Sequence, residues 1–243
     1  MDGFRDGSIL SSPFKLKHLH SLRVAENAAL IAAGLGLAQE EIELARAAGL
    51  LHDTGRFPQF ARYGSFKDAD TVDHGLEGRR VLEEAAPFAD ADGRERLLCA
   101  VQYHNRKAED IPPGLPAAQS DLLRLVRDAD KLDIMDIVLD SIDADGFKDL
   151  PGMLPNIKLS RELTPGVLDK ALNGESLSSG KLSTLADFLV MLASWFYDLN
   201  YIPSRRLAAQ RGILPRIRGK LPDTAGIREF FSDIKETMRV SGG

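Results

Sequence analysis

Five histidines carry the clearest chemical potential in this sequence of 243 residues, and all of them lie in its first half. They are His18, His20, His52, His74 and His104. The chain has one cysteine, Cys99, so neither a disulfide framework nor a zinc site built from cysteines can form within it. Any metal site of this chain must therefore use histidine, aspartate and glutamate side chains.

Two aspartates accompany these histidines in the apolar pattern. Asp53 follows His52 directly, and Asp130 lies on the apolar stripe of a later helical segment. A charged carboxylate without a partner on a buried face costs several kcal/mol, so it needs a cation or strong hydrogen-bond donors beside it. A metal would supply that charge. Imidazole and carboxylate ligands together suit Mn, Fe, Co, Ni or Zn, whereas Ca and Mg prefer oxygen ligands alone.

Helical periodicity dominates the sequence, and no alternating run of β-branched and aromatic residues indicates strands. We therefore predict an all-α fold. The helices predicted in the first half span residues 18–33, 39–52, 74–84, 94–104 and 120–143. Asp73 can cap the third of these through its carboxylate, which places His74 at a helix start. Gly55 and Pro58 predict a break after Asp53 and a loop as far as Asp73.

The composition changes after residue 145. Residues 146–180 hold many Pro, Gly and Ser residues, which predicts loops with short helical pieces. A strongly apolar helix follows at about 183–201. We expect residues 1–145 to form the catalytic core and residues 146–243 to form a helical extension packed on it, within a single structural unit.

The overall charge is modest, with 31 basic and 36 acidic residues and a net charge of -5. This balance and the lack of a long apolar stretch predict a soluble, cytoplasmic protein with no membrane segment and no nucleic-acid partner. The oligomeric state is not readable from the sequence. A late basic run is most typical of a solvated helix face, and a border of a cleft for an anionic substrate is the alternative. It comprises Arg205, Arg206, Arg211, Arg216, Arg218 and Lys220.

Three segments resemble the motifs of the HD superfamily, which is named for an adjacent His-Asp pair and carries the pattern H...HD...D on a helical bundle. They are His-Ser-Leu-Arg-Val from His20, Leu-Leu-His-Asp-Thr-Gly-Arg from Leu50, and Arg-Asp-Ala-Asp-Lys-Leu-Asp from Arg127. The resemblance covers roughly residues 14–140 and implies a helical HD domain. In the last motif it favours Asp130 over Asp128 as the ligand.

His74 and His104 extend the pattern to H...HD...H...H...D, which resembles the binuclear branch of the superfamily. This resemblance implies that His20, His52, Asp53 and Asp130 hold one metal. Asp53, His74 and His104 would hold the other, with Asp53 bridging the two. The expected cofactors are two divalent transition metals, from among Fe, Mn, Ni, Co and Zn. Such a pair can share a hydroxide that attacks a phosphoryl group.

The resemblance also implies candidates for contact with the substrate. Arg56, directly after the Gly55 turn, occupies a place where related proteins carry a basic residue that faces the substrate, and it could bind a phosphate oxygen. Lys131 and Arg79 are further candidates. Asp53, Arg56 and Lys131 are the candidate catalytic residues.

Two other polar residues have expected supporting roles. Asp133 could orient a ligand histidine. Arg23 is expected to form a structural ion pair.

The expected function is metal-dependent hydrolysis of a phosphate mono- or diester, with a nucleotide or a small phosphorylated metabolite as the substrate. A mixed-valence di-iron oxygenase is the main alternative, because some superfamily members with that activity carry the same six ligands. The ligands alone do not separate the two. A degenerate binding module is a third interpretation, which the complete ligand set disfavours.

Overall fold

Helices form most of the described chain, which in this computed structural model comprises residues 5–6, 9–10, 12–85, 91–145 and 157–240. The first helices are α1 (Ser12–Gly34), α2 (Gln39–Leu51), α3 (Arg56–Tyr63), α4 (His74–Ala85), α5 (Ala91–Tyr103) and α6 (Ala117–Asp145). Those that follow are α7 (Val167–Leu172), α8 (Leu185–Ser194), α9 (Ile202–Gln210), α10 (Ile213–Lys220) and α11 (Ala225–Val240). The predicted all-α fold class is confirmed.

Extended backbone pairs only briefly in the described residues. β1 (Arg5–Asp6) and β2 (Ile9–Leu10) form an antiparallel pair, and Lys158 forms an isolated parallel bridge with Thr184. Pairs this short cannot form a sheet layer, so the core is built by packing helices against one another.

The loop predicted from Asp53 to Asp73 is wrong in part, because α3 lies within it. Pro58 occupies the first turn of α3, where the missing backbone N–H removes no intrahelical hydrogen bond. Gly64 ends the helix at a φ of 64°, in the left-handed region that glycine adopts without strain. The rest of the segment contains a 3-10 turn at Asp68–Asp70.

The cap predicted for α4 is confirmed. The Oδ1 atom of Asp73 accepts hydrogen bonds from the backbone N–H groups of Gly75, at 2.9 Å, and Leu76, at 3.1 Å. These groups have no partner within the helix itself, so the cap stabilises the start of α4. His74 is consequently fixed at the first position of this helix.

The chain forms two compact units, residues 1–133 and residues 134–243, and α6 runs from the first into the second. The core of the first unit includes Val24, Ile31, Leu97, Leu98, Val126 and Leu132. The core of the second includes Leu189, Leu192, Phe196, Ile217, Phe230 and Ile234. The domain boundary predicted after residue 145 stays a prediction, and of the predicted loop region residues 146–156 lie outside the described residues.

The apolar helix predicted at 183–201 is α8, followed by a 3-10 turn at Trp195–Asp198. Thr184 begins it with a capping box, in which its hydroxyl accepts from the Asp187 backbone and the Asp187 carboxylate accepts from the Thr184 backbone. Its side chains fill the core of the second unit. Among the described helices, none has both the length and the apolar character needed to cross a bilayer.

Three residues of the late basic run pair with acidic residues at the carboxyl end of α6, within the second unit. Arg211 lies 2.8 Å from Asp136, and Arg216 lies 2.6 Å from Asp140. Asp143 contacts both Arg216 and Lys220. These ion pairs join α6 to α10 and to Arg211, the residue that follows α9.

Several glycines allow the close approach of backbones in the first unit, among them Gly49 and Gly55. A Cβ atom at Gly49 of α2 would lie 2.9 Å from the Val24 carbonyl oxygen of α1. A Cβ atom at Gly55 would lie 2.1 Å from the carbonyl oxygen of His74 and 2.5 Å from the backbone nitrogen of Gly78. The turn after Asp53 therefore packs directly on the first turns of α4, and this contact brings Asp53 close to His74.

We expect Gly55→Ala to destabilise the protein by more than the ~1–3 kcal/mol that is typical of overpacking, because the new methyl group would meet backbone atoms that cannot rotate away. Urea unfolding monitored by circular dichroism would measure the loss. Gly219→Ala is the matched control, since a Cβ atom there meets nothing within 4 Å. Equal stability of the two variants would contradict the proposed packing constraint.

Candidate metal centre

The structure brings all six predicted ligands together in the first unit. They are His20 on α1, His52 and Asp53 in the turn after α2, His74 at the start of α4, His104 directly after α5, and Asp130 on α6. Five of them are buried, with 0% to 6% of their surface exposed, and the Asp130 side chain is 18% exposed. Residues 110 positions apart in the chain thus share one polar cluster inside an apolar core.

One part of the cluster gathers around Asp130. The Nε2 atom of His20 lies 3.1 Å from Asp130 Oδ1, and the Nε2 atom of His52 lies 3.6 Å from the same oxygen. The two imidazole nitrogens lie 3.2 Å apart. The Oδ2 atom of Asp53 completes this group at 3.6 Å from His20 and 3.7 Å from His52.

The other part gathers around the second oxygen of Asp53. Its Oδ1 atom lies 3.3 Å from the Nε2 atom of His74 and 3.6 Å from that of His104. These two imidazole nitrogens lie 3.1 Å apart. Each oxygen of one carboxylate therefore faces its own pair of histidines.

All four histidines bind an acceptor through Nδ1, which directs Nε2 into the cluster. The acceptors are Asp133 Oδ2 for His20 at 2.6 Å, the Gly49 carbonyl for His52 at 2.7 Å, Asp68 Oδ2 for His74 at 2.6 Å, and the Val101 carbonyl for His104 at 2.8 Å. A histidine that donates from Nδ1 presents the lone pair of Nε2, which is the arrangement of metal-binding histidines. Lone pairs and carboxylate oxygens this close repel one another unless a cation lies between them.

Basic groups lie around Asp53. The Lys17 ammonium lies 2.8 Å from its Oδ2 atom, and Arg56 Nε lies 3.5 Å from its Oδ1 atom. Burial alone would raise the pKa of the Asp53 carboxyl, but the positive charges of Lys17 and Arg56 help to hold that pKa well below its usual range. Asp53 is therefore ionised, which is the form in which a carboxylate can bind a metal.

His20 and His74 differ in their protonation. Burial opposes a proton on His20, but the hydrogen bonds to Asp130 and Asp133 outweigh it and raise the pKa of His20 to about 9. Burial and the positive charge of Arg56 lower the pKa of His74 to about 4. In the metal-free protein a proton on His20 supplies positive charge at the first group, whereas His74 is neutral. Both groups of donors fit a divalent transition metal.

The predicted substrate residues lie in different surroundings. Arg56 borders the cluster, and its Nη1 atom donates to Asp68 Oδ1 at 2.8 Å and to the Phe66 carbonyl. Arg79 instead pairs with carboxylates on the outer face of α4 and α5, namely Glu83 at 2.8 Å and Glu95 at 3.3 Å. Lys131 follows Asp130 on α6 and is half-buried. Their substrate roles stay predictions.

The supporting residues behave as the sequence suggested. Asp133 accepts from His20, and Arg23 donates to Asp133 Oδ1 at 2.6 Å, which is the expected structural ion pair. His18 is half-buried on α1 and belongs to neither group of donors.

Sequence reasoning missed three residues at this centre. Lys17 precedes His20 by three positions, so it lies on the same side of α1, and that spacing could have identified it. Arg127 donates to the carbonyls of His104, at 2.9 Å, and Arg106, and so holds the turn that carries His104. Asp68 lies on a short 3-10 turn, where no helical or strand period indicates which side chains face the site.

Residues 19–135 match the family model of the HD domain. The matched range contains all six clustered ligands. Residues 19–135 of this chain therefore form an HD domain. No curated protein and no solved structure showed a significant match to the chain. HD domains bind divalent metals, so the imidazole and carboxylate groups of this domain are its candidate metal ligands.

We expect metal binding at pH 7.5 to release about one proton from His20, because its pKa of about 9 keeps it protonated in the metal-free protein and a metal requires the neutral ring. Release should decline as the pH rises above 9. For the same reason, the stability that His20 contributes to the metal-free protein is present below pH 6.5 and lost as the pH rises through 9.

Titration calorimetry with Mn²⁺ in buffers of different ionisation enthalpy would measure the protons released. A heat of binding at pH 7.5 that does not depend on the buffer would contradict the protonated state assigned to His20.

Proposed function

We propose that this protein is a metal-dependent phosphohydrolase that hydrolyses a phosphate mono- or diester. The observation that supports it most is the division of Asp53 between two pairs of imidazoles, one at each carboxylate oxygen. Most proteins with an HD domain are metal-dependent phosphohydrolases, so the family and the geometry favour the same chemistry. The proposed substrate is a nucleotide or a similar small phosphorylated metabolite.

Two metal sites follow from this arrangement. His20, His52, Asp130 and the Oδ2 atom of Asp53 would hold one metal. His74, His104 and the Oδ1 atom of Asp53 would hold the other. Divalent metals bound there supply a water of lowered pKa and neutralise negative charge on a phosphoryl group. No amino-acid nucleophile is required by this chemistry.

The partly exposed residues of the centre indicate where a substrate would approach. The histidines are almost fully buried, while Lys17, Arg56 and Asp130 have side chains that are 21%, 17% and 18% exposed. Two of these three carry a fixed positive charge. An anionic substrate that enters past them replaces part of its lost hydration with charge-assisted hydrogen bonds.

Arg56 is well placed to orient the phosphoryl group. Its Nη1 atom is held by Asp68 and the Phe66 carbonyl, so the plane of the guanidinium is fixed before a substrate arrives. No described residue forms a hydrogen bond with its Nη2 atom, which can therefore donate to a phosphoryl oxygen. A donor held in place in advance binds with a smaller loss of side-chain entropy than a mobile one.

The hydrolase and the oxygenase make different demands on the metal and on oxygen. Protein purified without added metal should first be analysed for its metal content. It should then be assayed with a panel of phosphate mono- and diesters in the presence of Mn, Ni, Co or Fe. Phosphate release without oxygen supports the proposal. Oxygen-dependent product formation with a mixed-valence iron signal, together with no phosphate release with any metal, would overturn it.

We expect Asp53→Ala to abolish metal binding and phosphoester hydrolysis together, because both groups of imidazoles lose their shared carboxylate. His104→Ala should lower the bound metal by about one per chain, since it removes a ligand of only one group. Elemental analysis of each gel-filtered variant measures the metal bound per chain. His18→Ala is the control, because this histidine lies on the same helix as His20 and outside both groups.

Wild-type metal content in Asp53→Ala would contradict the ligand assignment. An unchanged metal count in His104→Ala would restrict the centre to the four ligands His20, His52, Asp53 and Asp130.

A further inference from the structure

Asp68 connects the metal centre to the candidate substrate arginine. It lies on the 3-10 turn between α3 and α4, and its side chain is 33% exposed. Its Oδ2 atom accepts from His74 Nδ1 at 2.6 Å, and its Oδ1 atom accepts from Arg56 Nη1 at 2.8 Å. Each oxygen of this carboxylate therefore binds a different functional group.

Neighbouring side chains hold the Asp68 carboxylate in this orientation. Gln59 Nε2 donates to its Oδ1 atom at 2.9 Å, and Asn105 Nδ2 donates to its Oδ2 atom at 3.2 Å. Gln59 belongs to α3 and Asn105 follows α5, so Asp68 ties a loop to two helices that flank the site. A carboxylate with four donors has little freedom to rotate.

The bond to His74 determines which ring nitrogen is available. While Nδ1 donates to Asp68, the lone pair of His74 Nε2 faces Asp53 Oδ1 at 3.3 Å. Without that acceptor the ring can carry its proton on Nε2 instead, or rotate away from Asp53. Removal of such an orienting carboxylate typically lowers metal affinity by about 10–100-fold.

The bond to Arg56 determines where the guanidinium lies. Arg56 also approaches the Oδ1 atom of Asp53, with its Nε atom at 3.5 Å. Asp68 and Asp53 thus bracket the guanidinium, one at each end. Loss of Asp68 would leave Nη1 with the Phe66 carbonyl and Gln59, and would allow the guanidinium to tilt toward Asp53.

We propose that Asp68 is a positioning residue that couples the second metal site, at His74 and His104, to the binding of an anionic substrate by Arg56. This inference rests on the two metal sites of the proposed function. In this role Asp68 would bind neither the metal nor the substrate itself. It acts through the two side chains that do.

The test compares Asp68→Ala and Asp68→Asn with the wild type. Mn²⁺ titration should show the second site weakened by about 10–100-fold in Asp68→Ala, with the first site changed by less than about 3-fold. Inorganic phosphate should bind the Mn²⁺-saturated protein more weakly by about 10-fold, the equivalent of one lost charge-assisted contact. The affinities of Asp68→Asn should lie between those of the wild type and Asp68→Ala. Its amide oxygen can accept from only one of the two donors, His74 and Arg56.

A spectroscopic readout separates positioning from general damage. In the metal-free wild type, two-bond ¹H–¹⁵N correlations of the imidazoles should show His74 with its proton on Nδ1. In both Asp68 variants the His74 pattern should move toward a mixture of the two ring tautomers, while that of His104, oriented by the Val101 carbonyl, stays unchanged. The side chain of Asp68→Asn has nearly the same shape as the native one, so this variant provides the test if Asp68→Ala does not fold.

Asp70→Asn is the matched control. Asp70 lies on the same turn, its side chain is 60% exposed, and it pairs with Lys67 instead of with the site. If Asp70→Asn weakens the second site as much as the Asp68 variants do, or if the Asp68 variants weaken both sites equally, Asp68 has only a structural role and the inference is overturned.

The outcomes also separate this inference from the proposed function. Two metals in the wild type and equally tight second-site binding in the Asp68 variants overturn the inference alone. Two metals with the expected Asp68 effect, but no hydrolysis of any phosphoester, overturn the proposed function alone. A wild type that binds a single metal overturns both.

Discussion

The first unit depends on a buried negative charge, the carboxylate of Asp53. Only 2% of this residue is exposed, and it is surrounded by four imidazoles. Removing an ionised carboxylate from water costs several kcal/mol even after the surroundings relax, so the fold must supply compensating positive charge. In the metal-free protein Lys17, Arg56 and the protonated ring of His20 supply it. Divalent metals would supply it more completely, at both oxygens.

The positions of the histidines at helix ends explain how the site is oriented. His52 and His104 each follow the last turn of a helix, and each donates from Nδ1 to the carbonyl three residues earlier, Gly49 and Val101. The last carbonyls of a helix have no partner within it, so they are available as acceptors. His20 lies within α1 and His74 begins α4, where no such carbonyl is within reach. These two histidines use the carboxylates of Asp133 and Asp68 instead.

This difference also sets the limit of prediction from the sequence. The helical period was sufficient to predict the all-α class. The resemblance of the motifs was sufficient to predict that six candidate ligands lie together, since each motif combines a local pattern with a chemically distinctive residue. The contact of His20 with Asp133 spans 113 positions, and Asp133 could be proposed only because it shares a helical stripe with Asp130.

Asp68 has no such periodic neighbour, and α3 was missed because Gly55 and Pro58 suppress helix propensity locally. In the structure Pro58 lies in the first turn of α3, where it breaks no intrahelical hydrogen bond, and the close approach of α4 requires a glycine at position 55. Neither residue therefore prevents the helix.

The two groups of donors differ in charge, and the difference has a chemical consequence. The first group combines two imidazoles with Asp130 and one oxygen of Asp53, while the second has two imidazoles and the other oxygen of Asp53 alone. Fewer protein ligands leave more coordination positions for water and substrate, but they also hold a metal less firmly. Such a site gains the most from a ligand whose orientation is fixed in advance. The histidine with the strongest orienting acceptor in the second group is His74. Asp68 provides that acceptor and also binds Arg56. The contacts of Asp68 would therefore strengthen metal binding at the second group and, at the same time, hold Arg56 in place for the phosphoryl group.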